Sequence, residues 1–332
     1  MQEVYKDIYT FPVTLPNSPL KAINSYVIKG YDKTAVIDTG YNMPESRADL
    51  LEGLKELDVR IEDCDLIITH LHADHTGLVN LFSEAGCKIY SSKTDGGFFN
   101  SMATDRYWEL LASFMPLYGL IEHEIEISDN PGFLYRLTKQ VDVIELKEGD
   151  HYKIGDYDFE IVDLPGHTPG HIGLYDKAHK IIFSADTILD PISPNITFWG
   201  FKYPDILGTY IKTLKKVRSM DIDMVFPSHR KIIKDHVKRI DELLDHHKVR
   251  SQEILDAMIE GHEYTVRDIS ARITWKIRAD SWDTFPKPQK WFAAGETMSH
   301  MEHMTHTGHL SMENKGGVLK FKKSKDRIDE LL

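Results

Sequence analysis

The stretch Thr69-His70-Leu71-His72-Ala73-Asp74-His75-Thr76-Gly77 follows the apolar run Leu66-Ile67-Ile68 and sets three histidines and an aspartate within six positions. A short apolar run closed by polar residues reads as a buried strand. His70 and His72, two apart at its end, project to one side. Past Ala73 the chain turns into a helix, so Asp74 and His75 approach from other directions. Four ligand-capable groups then surround one small volume, and imidazoles with a carboxylate suit zinc, iron or manganese. A fold that accepts this sequence must end a buried strand at a metal-sized polar pocket. Two cations roughly 3.5–4 Å apart need about six or seven such groups, with a carboxylate between them. Further ligands are therefore required at other strand ends.

Three more segments supply them. His167 lies in Asp163-Leu164-Pro165-Gly166-His167-Thr168-Pro169-Gly170-His171, a loop tightened by proline and glycine after a strand. Asp186 closes the apolar run Ile181-Ile182-Phe183-Ser184-Ala185, and His229 closes Met224-Val225-Phe226-Pro227. Any one strand-end histidine taken alone reads as structural. Five histidines and two aspartates, each where a buried strand gives way to a loop, read as one site. His171 reads as a brace of its loop, and Asp38, in Val36-Ile37-Asp38-Thr39-Gly40, as a hydrogen-bond partner of a ligand imidazole.

Around these segments strands and helices alternate, which predicts an α/β fold. Residues 19–40 read as two strands joined at Gly30–Lys33. Leu50, Leu51, Leu54 and Leu57 have helical spacing, and residues 76–86 read as a helix closed by Gly86. Residues 93–140 interrupt the rhythm with a long aromatic and methionine-rich helical insertion. Its Tyr107, Trp108, Phe114, Met115 and Tyr118 read either as packing of the insertion or as an apolar wall over the site. Trp199 and Phe201, which follow Asp186, are candidates for the same wall. From residue 260 the texture changes: two helical segments and a hairpin turning at Gly316–Gly317 predict a small winged-helix-like α+β domain over 260–332. The first domain is 1–259.

The order His-x-His-x-Asp-His, loop histidine, strand-end aspartate and late histidine resembles the metallo-β-lactamase fold superfamily of metal-dependent hydrolases. The likeness covers roughly residues 20–250. Val36–Gly40 and Gly166–His171 are similar to the signatures of its glyoxalase II-like branch, and the two-domain layout resembles the β-lactamase-like protein 2 group. The resemblance implies a four-layered αββα sandwich with the site at one edge. It implies that His70, His72 and His167 hold one metal, that Asp74, His75 and His229 hold a second, and that Asp186 bridges them. Position 72 is His where oxygen-reducing flavodiiron members carry Glu, which favours hydrolysis. Two divalent cations, zinc first with iron or manganese as alternatives, would lower the pKa of a bridging water to give a hydroxide nucleophile. Asp74 is the expected catalytic residue, orienting that nucleophile.

A thioester or another small ester or lactone is the first reading of the substrate, since the aromatic insertion suggests an enclosed apolar pocket. A single-strand RNA endonuclease is the alternative within enzymes, and a non-catalytic metal-binding or regulatory protein is the alternative outside them. The formal net charge of −12 does not favour nucleic acid. Residues 260–332 hold 12 basic and 11 acidic side chains, with only Leu319–Arg327 locally basic. His300, His303, His306 and His309 recur every third residue and drift round a helix, which suits a solvated or interface face better than a second metal site. Cys64 and Cys87 read as free core thiols in a reducing cytoplasm. No transmembrane run and no signal peptide is expected. The insertion and the tail are both candidate homodimer surfaces.

Overall fold

The computed structural model describes residues 1–121 and 123–328. Its first half builds a seven-stranded sheet whose spatial order follows the chain. β1 (Gln2–Tyr5), β2 (Ile8–Thr14), β3 (Ala22–Lys29) and β4 (Thr34–Ile37) pair antiparallel. The hairpin expected between β3 and β4 forms, with the Gly30 N–H donating to the Lys33 carbonyl at 2.9 Å. Parallel neighbours need crossovers, and α1 (Pro44–Glu56) carries the chain from β4 to β5 (Cys64–Ile67). The crossover to β6 (Ile89–Ser92) holds α2 (Ala73–Thr76) and α3 (Val79–Glu84). Among its described residues, the insertion before β7 (Ile144–Leu146) is broken into α4 (Lys93–Met102), α5 (Asp105–Ala112), two 3₁₀ turns and α6 (Pro131–Leu134).

A second sheet contains β8 (His151–Ile154), β9 (Tyr157–Asp163), β10 (Ile172–Asp176), β11 (Ile181–Ala185) and β12 (Met224–Pro227). Only β11 and β12 are parallel, and α7 (Ile206–Arg218) connects them; α8 (His236–Asp256) follows. Alternation along the strands gives each sheet two apolar faces. Tyr26, Ile28, Ile37 and Ile67 meet Phe159, Ile161, Leu174 and Phe183 between the sheets. Val27, Val36 and Leu66 face outward onto Leu50 and Leu54 of α1 and Phe82 of α3. Val162, Ile182 and Val225 do the same against Leu207 and Ile211 of α7 and Leu243 of α8. The architecture is a four-layered αββα sandwich.

The C-terminal residues add β13 (Glu263–Tyr264), α9 (Val266–Ser270), α10 (Lys287–His306), β14 (Leu310–Lys315) and β15 (Val318–Lys323). Gly316 and Gly317 make the expected turn, both at positive φ. The first of the two expected helical segments is only five residues long, for an identifiable reason. The Ser270 carbonyl accepts the Trp275 indole N–H at 2.8 Å, and the Thr274 N–H goes to Glu253 Oε1 at 2.5 Å, so the next helical bond is not made. One apolar cluster joins this region to the rest: Met298, Met301 and Phe321 pack with Ile254 and Leu255 of α8, Tyr118 of the insertion and Phe198. Among the described residues no helix is long and apolar enough to cross a membrane. Cys64 and Cys87 are free.

Candidate metal centre

β4 and β5 are parallel, as are β11 and β12, so their C-terminal ends fall together at one edge of the sandwich. Asp38 follows β4, His70 and His72 follow β5, Asp186 follows β11 and His229 follows β12. The register of β11 against β12 shifts between Phe183 and Ala185, and Ala185 has a φ of +42°. Asp38 likewise sits at φ +59°. Bulges and left-handed residues of this kind re-aim side chains at a cost of about 1–3 kcal/mol each. Here both redirect a carboxylate towards the edge where the histidines converge.

All seven expected ligands meet there. Donor atoms of His70, His72 and His167 lie within 4.8 Å of one another, as do those of Asp74, His75 and His229 and those of His70, His75 and Asp186. Asp186 Oδ2 is 3.7 Å from His75 Nε2, 3.7 Å from His167 Nε2 and 3.5 Å from His229 Nε2, which sets it between the two groups. Asp74 Oδ2 is 3.3 Å from His229 Nε2. His70 presents Nε2 and His72 presents Nδ1, and these two ring nitrogens are 3.1 Å apart.

The opposite ring nitrogens are already committed. His75 Nδ1 donates to Asp38 Oδ2 at 2.8 Å, His167 Nδ1 to the Asn195 carbonyl at 2.8 Å and His229 Nδ1 to the Ala22 carbonyl at 3.0 Å. Thr69 Oγ1 lies 3.1 Å from His70 Nδ1. These bonds leave the Nε2 atoms of His75, His167 and His229, together with Asp186 Oδ1, buried and without a hydrogen bond. A buried polar atom in that state costs about 1–3 kcal/mol. Four of them aimed at one volume fit a cation, and a donor set of five imidazoles and two carboxylates fits a pair of borderline divalent ions. Burial holds His70 well below its ordinary range, His72 down at about 3 and His167 below its ordinary value, which favours the neutral, ligating form. Burial also pushes Asp74 up, but His75 and His229 outweigh it and hold the carboxyl at about 2. In His75 the carboxylates of Asp38, Asp186 and Asp74 outweigh burial and raise the ring's pKa.

Neighbouring residues fix this set in place. Asp38 is fully buried and also accepts the Thr69 N–H at 2.9 Å and the Thr69 hydroxyl at 2.8 Å. His171 stacks on His70 with centroids 4.8 Å apart, and its Nε2 accepts the Asp186 N–H at 3.3 Å. Tyr107 and Trp108 are buried in the core outside the first sheet, and Tyr107 meets Phe98 edge-on with ring centroids 6.1 Å apart. Trp199 faces the site, with its ring centroid 5.9 Å from that of His72, and Phe98 and Tyr203 continue outward from it. Phe201 is exposed. Of the C-terminal histidines, His300, His303 and His309 are buried. His300 lies 3.1 Å from His247 of α8 and His303 lies 2.7 Å from Asp205, so these two form an interface face. Among the described residues they form no cation-sized group.

Sequence reasoning missed Asp95. Ser92-Lys93-Thr94-Asp95 has the pattern of a helix N-terminus, and Ser92 Oγ does accept the Asp95 N–H at 3.1 Å. The Asp95 carboxylate reaches further: it accepts the Leu71 N–H at 3.1 Å, the Gly170 N–H at 2.7 Å and the Thr168 hydroxyl. It thereby ties the His70–His75 loop to the His167 loop. A Cβ on Gly170 would stand 2.6 Å from Asp95 Oδ1, so the approach requires glycine. Asp95→Ala strands three buried donors. We expect it to destabilise the fold by about 2–4 kcal/mol and to weaken metal binding about 10–100-fold. Denaturant titration and metal competition check both; unchanged metal affinity would refute the bracing role.

The fold and the site define a class. The metallo-beta-lactamase superfamily profile matches residues 19–229, and the chain belongs to that superfamily. It is a metal-dependent hydrolase. The chain is 24% identical to human acyl-coenzyme A thioesterase MBLAC2 over 62% of its own length and 72% of that protein's. It is 30% identical to hydroxyacylglutathione hydrolase GloC of Haemophilus influenzae, over 46% of this chain and 60% of that one. A metallo-beta-lactamase family protein from Thermus thermophilus shares the fold at a TM-score of 0.83 and 22% identity, covering 97% of this chain and 100% of its own. The shared fold therefore takes in the C-terminal elements as well as the sandwich.

Proposed function

We propose that this protein is a binuclear metal hydrolase acting on thioesters with an apolar acyl group. His70, His72 and His167 would hold one divalent ion, Asp74, His75 and His229 the other, and Asp186 would lie between them. The observation that carries the reading is the inward-facing nitrogens and carboxylate oxygen of these residues, buried without a hydrogen bond beside a wall of aromatic rings. When bound, a pair of divalent ions acidifies a shared water and neutralises charge on a carbonyl oxygen.

The chain's own residues do the rest. Asp38 and the carbonyls of Asn195 and Ala22 each take an Nδ1–H and so fix which ring nitrogen points inward. Asp74 is more exposed than Asp186, with 13% of its side chain accessible against 8%, and it orients the attacking water by accepting a hydrogen bond from it. Trp199, Phe98 and Tyr203, each half-buried, hold the acyl chain and exclude solvent on the His72 side. The attack forms a carbon–oxygen bond and breaks the carbon–sulfur bond. The departing thiolate, conjugate to a thiol of pKa about 8.5, leaves without a dedicated acid. Two relatives whose names state a thioester substrate support the same class.

The test is a substrate panel on zinc-loaded protein: acyl-coenzyme A thioesters of increasing chain length, a glutathione thioester, a lactone and a bis-aryl phosphodiester. We expect kcat/KM to be highest on thioesters and to rise with acyl length. Cleavage of the phosphodiester without thioester turnover would overturn the proposal.

A further inference from the structure

We infer that the C-terminal helix α10 is a working part of the metal centre, with Glu296 as a positioning residue for His167. The inference rests on the metal-binding reading above and adds to it a part of the chain beyond residues 19–229.

Residues 195–199 form the connection. They lie outside every strand and helix, so their course is set by what they rest on. At one end the Asn195 carbonyl accepts His167 Nδ1–H at 2.8 Å; at the other the Trp199 indole N–H donates to the His167 carbonyl at 3.2 Å. This segment thus grips His167 by ring and backbone. In turn it lies along α10. The Asn195 side-chain amide donates to Glu296 Oε2 at 3.0 Å and to the Phe292 carbonyl at 3.1 Å. Ser299 Oγ donates to the Ile196 carbonyl. A Cβ on Gly295 would fall 2.0 Å from Thr197 Oγ1, so the helix and the segment touch where only glycine fits.

Glu296 is anchored from behind. Its Oε1 lies 3.5 Å from Arg250 Nε of α8, and Arg250 also donates to Glu253 at 2.7 Å and to the Thr274 carbonyl at 2.7 Å. Only 13% of the Glu296 side chain is exposed. Helix packing alone would be served better by an apolar residue at such a position. A carboxylate there has a use if the Asn195 amide, and through it the carbonyl that fixes the His167 tautomer, must be held still. A partner of this kind sets both the ring direction and the basicity of a ligand imidazole.

The test uses the full chain, freed of metal by chelation and titrated with zinc against a chromophoric competitor, with the cobalt(II) visible spectrum as a second readout. Glu296→Ala is expected to weaken one of the two zinc sites about 10–100-fold and to shift the cobalt bands. Gly295→Ala, which displaces the same segment from a different residue, should do likewise. Glu296→Gln retains an oxygen to accept the Asn195 amide and should rescue most of the affinity. Wild-type affinity at both sites and an unaltered cobalt spectrum in Glu296→Ala and Gly295→Ala would overturn the inference. So would an equal loss at both sites that merely tracks a fall in melting temperature. Wild-type protein that takes up no zinc would refute the metal reading itself, a different result from either of these.

Discussion

Asp186→Ala will lower thioester hydrolysis by more than about a thousand-fold and strip most of the bound metal while leaving the sandwich folded. A thousand-fold corresponds to about 4 kcal/mol of transition-state stabilisation, the upper end of what one preorganised electrostatic group supplies. Asp186 warrants that figure because its Oδ2 stands within 3.7 Å of histidines from both candidate ligand groups, so its removal would reach both of the proposed ion positions. The fold should survive, since the Asp186 Oδ1 is buried without a hydrogen bond. Its loss even relieves repulsion against Asp74, which lies in the same cluster. Elemental analysis, kcat/KM and a thermal melt of one preparation decide the matter. Retained metal with retained turnover would show that Asp186 is not a shared ligand.

Glu124→Ala will destabilise the protein by about 3–5 kcal/mol, the cost of breaking a buried ion pair from one side. Glu124 belongs to the insertion, and its side chain is 2% exposed. It accepts Arg267 Nε at 2.8 Å and the Trp282 indole N–H, and Lys290 Nζ lies 3.6 Å away. All three partners come from the C-terminal region, so this carboxylate latches the insertion to it. Truncation leaves two cations facing a void. Burial pushes the Glu124 pKa up, but Arg267, the Ile121 N–H and Trp282 outweigh it and hold the group below its ordinary 4.5. With the folded value depressed, the stabilisation is present above the unfolded pKa and is lost as pH falls through the folded one. The gap between wild type and variant should therefore narrow in acid. Denaturant midpoints at neutral and acidic pH measure this, and a loss below about 1 kcal/mol at neutral pH would place the latch among weak surface pairs.

The candidate ligands are legible because their signal is local. Residues 69–77 gather four of them, Asp186 and His229 each close a run of apolar residues that marks a buried strand, and His167 sits in the proline- and glycine-tightened loop after another. The four layers follow from the same alternation, since Tyr26 and Val27 or Ile161 and Val162 must face opposite ways. What stayed hidden is made by distant approach. Asp95 acts on Leu71 and on Gly170, 24 and 75 residues away, and Glu296 meets Asn195 across 101. Asn195 orients His167 with a backbone carbonyl, which every residue possesses and no motif records. Helical period cannot say which neighbour a face will meet, so it leaves Tyr107 and Trp108 between core and pocket wall; both are buried in the core, and Phe98 and Trp199 pack on it half-exposed. The early end of α9 has a similar cause, since Glu253 and the Trp275 indole, which break its next turn, are contacts the helix pattern does not encode.

If seven side chains from four strand ends hold two divalent ions on which hydrolysis depends, metal content and turnover must rise and fall together. The most direct measurement is metal content per chain alongside thioester turnover, before chelation, after it, and after zinc is restored. Two equivalents bound, turnover that disappears with the metal, and recovery as the second equivalent is added are the expected results. Metal-free protein that hydrolyses thioesters at an undiminished rate would contradict them.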